Sequence, residues 1–273
     1  MGISNKIITF VGSGNMAEAI ISGMINSEPR FISPEKIICN DIVPEKPDAL
    51  KNKYGVFVEA DKNNAVSKAG IIFLAVKPQN MPQTLDEIKP FIKKDSLVIS
   101  VAAGITTKFI EEILNKEIAV VRAMPNTPVV VGLGATALCA GRFASDQDLQ
   151  TAKDIFGAIG ISRIMDEDKI DAVTALSGSG PAYVFYLCEL MQQAGEHLGL
   201  NKENAKDLAV QTIFGAGKML SETGIDAAAL RHNVTSPNGT TQAALEYFKS
   251  HNLADIVFKA MEQAARRSKE LSK

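Results

Sequence analysis

Residues 6–17 read KIITFVGSGNMA: a β-branched and aromatic run, two glycines one residue apart, then a helical start whose Ala17, Ile20, Ile21 and Met24 share one stripe. A strand that turns on glycines straight into a helix opens a β-α-β unit, because parallel strands need a crossover connection. Gly12 permits the tight turn and Gly14 lets a ligand approach the backbone. Ala17 is the small residue where helix meets strand. The free N–H groups of such a helix start attract an anion, so Gly12, Ser13, Gly14, Asn15 and Met16 are candidates to hold the pyrophosphate of a dinucleotide.

The pattern continues. The runs KIIC, VFV, IIFLAV, LVISVA, IAVVRAM, GATALCA and ISRIM follow as strand candidates, and the early ones are apolar throughout, as suits strands of a parallel sheet covered on both faces. Amphipathic segments lie between them, such as TTKFIEEIL with Phe109, Ile110 and Ile113 on one side. Alternation of this kind implies a doubly wound α/β sheet over residues 1–165. From 166 to 273 the β-branched runs stop, and long helical stripes replace them: Val184, Leu187, Cys188, Met191, Ala194 and Leu198, then Ala205 to Leu220, then Leu253 to Ala264. This second domain reads as all-helical. Its alanine and glycine supply little core volume, so association with a second copy is expected.

Composition narrows the function. With 29 Lys and Arg against 31 Asp and Glu the net charge is -2, which implies no strong field for nucleic acid or membrane and points to a small ligand. Cys39, Cys139 and Cys188 sit singly in apolar runs and read as buried free thiols of a reducing compartment. His197, His232 and His251 stand apart, so no metal site is expected. The start, MGISNKIITFVG, enters a strand too early for a signal or membrane segment, and a cytoplasmic location is expected.

In an open α/β sheet the carboxyl ends of strands line the ligand crevice. Asn40 and Asp41 end the second run, where an acidic side chain accepts from both ribose hydroxyls and repels a 2′-phosphate. That favours NADH slightly over NADPH within an NAD(P)H site, although both residues also suit a turn cap and Lys46 is near enough to meet a phosphate. FLAVKPQ puts Ala75, Val76, Lys77 and Pro78 at the crevice, and SVAAGIT puts Ala102, Ala103 and Gly104 there. In RAMPNTP two prolines stiffen a loop that presents Asn126 and Thr127. LSGSGPAYVF, residues 176–185, looks like a further glycine loop opening a helix, with Pro181 in the first turn.

GSGNMA, FLAVKPQ, SVAAG, RAMPNTP, LSGSGPAY and NVTSPNGTT, in this order and end to end, resemble pyrroline-5-carboxylate reductases. The resemblance implies a Rossmann-type sheet followed by a helical dimerisation domain, active sites lined by both subunits of a homodimer, and in some members rings of dimers up to a homodecamer. It also implies reduction of a cyclic imine, 1-pyrroline-5-carboxylate, to L-proline by NAD(P)H. Thr241 then corresponds to the family's threonine at the ring nitrogen, while Ser236, Gly239 and Thr240 cradle the carboxylate. The LSGSGPAY loop then faces the substrate and nicotinamide, where Ser177 or Ser179 donates hydrogen bonds or serves only the helix start, and Asn126 of the stiff loop is a further substrate-binding candidate. Relatives carry a glycine pair where this chain has Asn238 and Gly239; asparagine tolerates left-handed backbone, which would preserve the turn. Two other readings stay open: a β-hydroxy-acid dehydrogenase, with Lys218 as its lysine, and a dinucleotide-binding regulatory protein.

Overall fold

The computed structural model describes residues 6–271, so the first residues of the N-terminal reading lie outside the described part. All eight β-rich runs become strands: β1 (Ile8–Val11), β2 (Ile37–Asn40), β3 (Phe57–Val58), β4 (Ile71–Leu74), β5 (Leu97–Ser100), β6 (Ala119–Met124), β7 (Gly134–Ala140) and β8 (Gly160–Ile164). They form one sheet in the order β3-β2-β1-β4-β5-β6-β7-β8. Strands β1 to β6 run parallel, but β7 is antiparallel to β6, and β8 is parallel to β7. The reversal has a simple cause. Residues 125–133 hold only a short 3₁₀ turn, Thr127–Val131, and a parallel return needs a longer crossover.

Helices α1 (Asn15–Asn26), α2 (Glu45–Tyr54), α3 (Lys62–Lys68), α4 (Met81–Ile88), α5 (Thr107–Leu114) and α6 (Asp146–Gly157) fill the connections. The pleat sorts the strands' apolar residues between two clusters. Ile8, Phe10, Ile71, Phe73, Leu97 and Ile99 pack with Ile20, Ile21 and Met24 of α1 and with Ile155 and Phe156 of α6. Their neighbours Val11, Ile72, Leu74 and Val98 pack with Leu85 and Ile88 of α4 and with Ile110 and Leu114 of α5. Alternate side chains thus enter opposite cores, which is why these strands read as unbroken apolar runs. Phe10 and Phe73 stack at 4.5 Å between ring centroids.

Beyond β8 the chain is helical, as α7 (Ile170–Val173), a π-helical turn at Thr174–Gly178, α8 (Gly180–His197), α9 (Lys202–Glu222), α10 (Ala227–Asn233), α11 (Thr240–Ser250) and α12 (Leu253–Leu271). Two compact units result: one runs to Gly178 and takes in the chain from Ala264 onward, the other is Ser179–Gln263. The sequence boundary after residue 165 falls earlier. Residues 167–178 stay with the sheet because Ile170 is buried against Ala137 and Cys139 of β7, and the end of α12 joins them through Ser268, which donates to Asp171 at 2.7 Å.

The helical unit has almost no interior of its own. Among the described residues between 179 and 263 only Ala205 and Ala209 are buried. Phe185 is 66% exposed and Phe258 68%, and Val184, Leu187, Leu190, Phe214 and Val257 are also exposed. Cys188 lies on the same helix and is only half-buried, unlike Cys39 and Cys139. An apolar surface this large is a face for another protein surface.

Candidate active site

The glycine turn is held by backbone geometry. Val11 of β1 is in register with Asn40 of β2 and Leu74 of β4, so all three strands end at one level, where the sheet order reverses direction. There Gly12 takes φ +99°, and a Cβ on it would lie 2.6 Å from the Ala75 carbonyl carbon. Its N–H donates to the Asn40 carbonyl at 2.8 Å, and the Ala75 N–H donates to the Val11 carbonyl at 2.8 Å. Gly14 is the N-cap of α1, with no side-chain cap bond, and a Cβ there would meet nothing within 4 Å. An uncapped helix start with open space in front of it fits a pyrophosphate.

Asp41 caps its own turn, as the sequence allowed, and has a further task in the glycine loop that the sequence did not reveal. Its Oδ2 accepts from the Ser13 N–H at 2.8 Å, tying the glycine loop to the end of β2, and its Oδ1 accepts from the Val43 N–H at 3.0 Å. The Lys46 ammonium stands 3.9 Å from Oδ1. The Asn40 side chain turns inward and donates to the Glu59 and Ala60 carbonyls, leaving its backbone to face the loop. Asn15, Lys77, Pro78 and Ala103 are exposed, whereas Met16, Ala75 and Val76 are half-buried and Ala102 is buried. Gly104 takes φ +75° with the Leu271 carbonyl oxygen 2.6 Å from where a Cβ would stand. The end of α12 covers it.

Asn126 is buried, with its amide engaged by Ala135 and Ser177. Ser177 Oγ donates to the Val173 carbonyl at 3.2 Å, and Ser179 is the N-cap of α8 without a side-chain cap bond. A network unforeseen in the sequence lies nearby. Arg122 of β6 is a buried cation paired with Glu167 at 3.0 Å, and Glu167 also accepts from the Thr107 N–H at 2.9 Å and hydroxyl at 2.7 Å. Only the apolar run around Arg122 hinted at it. Burial pushes the Cys39 and Cys139 thiols up to about 12; for Cys139 the charge of Glu167 adds to this.

In the helical unit, the turn before α11 uses left-handed backbone, which asparagine tolerates and glycine adopts freely. Asn238 takes φ +56°, and its N–H donates to Gln242 Oε1 at 2.7 Å. Gly239 is the N-cap of α11 with no side-chain cap bond, and its N–H closes the turn onto the Ser236 carbonyl at 3.0 Å. Thr240 and Thr241 form the first turn, with Thr241 half-buried. This is a second uncapped helix start, suited to a carboxylate. The cradle at Gly12 and the turn at Thr241 belong to different compact units. Lys218, the lysine of the dehydrogenase reading, is exposed on α9 and paired with Glu222 one turn along at 3.8 Å, the arrangement of a solvated helix face.

Comparisons with known proteins cover the whole chain. A family model described as pyrroline-5-carboxylate reductase dimerisation matches residues 167–271, and one described as NADP oxidoreductase, coenzyme F420-dependent, matches residues 7–104. Pyrroline-5-carboxylate reductase 2 of Bacillus subtilis is 40% identical over 97% of this chain and 95% of its own length. The structure of the pyrroline-5-carboxylate reductase from Coxiella burnetii superposes with a TM-score of 0.91 at 41% identity, covering 98% of this chain and 99% of that one. That of the Plasmodium falciparum enzyme, with NADP bound, gives 0.89 at 30% identity over the full length of both. Sequence, domain order and fold agree throughout, and the chain belongs to the pyrroline-5-carboxylate reductase family.

Proposed function

We propose that this protein reduces 1-pyrroline-5-carboxylate to L-proline with NAD(P)H, the last step of proline biosynthesis. The observation that carries the reading is the presence, in one chain of this family, of two uncapped helix starts: one behind the Gly12 turn for a dinucleotide, one at Gly239 for a carboxylate. Bound NAD(P)H would supply a hydride to the imine carbon of the ring. The chain's part is then to hold the ring against the nicotinamide, neutralise the carboxylate and help place a proton on the ring nitrogen as C=N becomes C–N. In this reading the N–H groups at the start of α11, with Ser236, Gly239 and Thr240, hold the carboxylate, and the Thr241 hydroxyl orients the imine nitrogen. Ala75 to Pro78, with Ala102 and Ala103, border the nicotinamide half, whereas Gly104 lies under the end of α12 and serves the turn.

The exposed apolar helices of the dimerisation domain support a homo-oligomer, and we extend this to a homodimer able to assemble further as a ring of dimers. No described helix is long and apolar enough to cross a membrane, and the free thiols suit the cytoplasm. The test is initial-rate oxidation of NADH and NADPH with the imine as acceptor. Thr241→Ala is expected to lower kcat/KM by about 10- to 100-fold, the loss of one hydrogen bond to a charged group. An unchanged rate would remove Thr241 from the chemistry, and no turnover by the unaltered protein would leave only a dinucleotide binder.

NADH is taken to be slightly favoured, on the strength of the Asp41 carboxylate beside the glycine loop. Asp41→Asn removes the charge but keeps an acceptor for the Ser13 N–H. The ratio of kcat/KM for NADH over NADPH should fall by about tenfold, that is about 1.4 kcal/mol, within the range of about 1–4 kcal/mol for two like charges about 4 Å apart at a wet protein surface. A ratio that does not move would show that Asp41 serves only the loop.

A further inference from the structure

Asn126 is 8% exposed, and each end of its amide meets one backbone group. Oδ1 accepts from the Ala135 N–H at 2.9 Å, and Nδ2 donates to the Ser177 carbonyl at 3.0 Å. An N–H on one side and a carbonyl on the other admit only this orientation of the amide. The Ser177 carbonyl is the unusual partner. In an α-helix its donor would be the N–H four residues on, but residue 181 is a proline, whose ring nitrogen carries no hydrogen. Proline suits the first turn of α8 for its fixed φ. The Ser177 carbonyl is thus left without a helical donor: the turn it belongs to, Thr174–Gly178, is π-helical, but the N–H five residues on, that of Ala182, closes onto the Ser179 carbonyl at 3.0 Å instead. Met124 of β6 lies against the turn, its terminal methyl 2.7 Å from where a Cβ on Gly178 would stand.

We propose that Asn126 is a positioning residue for the reductase reaction: its side-chain amide replaces the N–H that Pro181 lacks and so holds the turn that presents Ser177 and Ser179. The proposal rests on the reading above, in which this turn borders the reacting groups. Asn126 then acts through Ser177, with no contact of its own to substrate. It also gives the stiff loop between Pro125 and Pro128 a purpose, because a donor is useful there only if its own backbone cannot wander.

A mutant cycle with Asn126→Asp and Pro181→Ala tests this. Asp keeps the shape and the acceptor for Ala135 but turns an oxygen toward the Ser177 carbonyl; Ala at 181 restores an N–H. In the Pro181 background N126D should lower kcat by about tenfold or more, because the turn moves away from the unmatched oxygen and a displacement of about 1 Å beside the reacting groups costs on the order of 100-fold. NADPH affinity, read by fluorescence titration, should stay unchanged, and amide exchange across 178–182 should speed up. In the P181A background the same substitution should lose most of its effect on both kcat and exchange. If N126D does not fold, recovery of a folded protein by adding P181A is the same rescue. Equal losses in both backgrounds, or unchanged kcat in N126D, would overturn the proposal. Failure of the reductase reading shows differently, as absence of imine reduction by the unaltered protein.

Discussion

Gly12→Ala is expected to abolish dinucleotide binding and to destabilise the sheet domain, while Gly14→Ala leaves the fold intact and weakens binding alone. At Gly12 the backbone sits at φ +99°, and the new Cβ would meet the carbonyl carbon and oxygen of Ala75 at 2.6 Å and the Val76 N at 2.8 Å. These are backbone atoms just past the carboxyl end of β4, so no rotamer change relieves the contact. An L-residue at that φ costs about 1–3 kcal/mol, and overpacking adds about 1–3 kcal/mol more. The relief available is separation of β1 from β4 at their carboxyl ends, which displaces the helix start. A misplacement of about 1 Å costs on the order of 100-fold. Gly14 differs, with φ -82° and open space around it; alanine there intrudes only on the ligand. Fluorescence titration with NADPH beside thermal unfolding separates the two. Equal stability of both variants would refute the clash.

Glu167→Ala is expected to destabilise the protein by about 3–5 kcal/mol, the cost of stranding a buried charge, and to lower the melting temperature by on the order of 10 °C. The Arg122 side chain is 4% exposed and has its carboxylate partner in Glu167. The same carboxylate satisfies the N–H and hydroxyl of Thr107 at the start of α5. Removal therefore leaves a cation and two donors unmatched in one place. Arg122→Met in the Glu167→Ala background should restore much of the loss, since an apolar residue of similar volume needs no partner. A melting temperature within a degree or two of the parent would show that water reaches Arg122 and that the clamp is not a structural one.

What was legible in the sequence follows from local chemistry. Strands buried on both faces must be apolar throughout, so all eight could be read, and the glycine turn was readable because strand, glycine pair and helix are contiguous. Asn238 was readable too, as a residue that accepts φ +56°. The reversal at β7 was not, because it depends on how residues 125–133 bridge two strands rather than on the apolar pattern of either. Nor were the partners of Asp41, Asn126 and Arg122. Each bonds to a group distant in the chain: Ser13, Ser177 and Glu167.

The sequence by itself determined the doubly wound sheet, the helical second part, the two uncapped helix starts and the family, since each rests on residues adjacent in the chain or on their order. The tertiary structure alone decided which polar side chains face ligand and which serve the protein. A carboxylate or amide looks the same in sequence in either role; its role depends on which backbone groups the fold leaves without partners, and that is known only once distant segments meet.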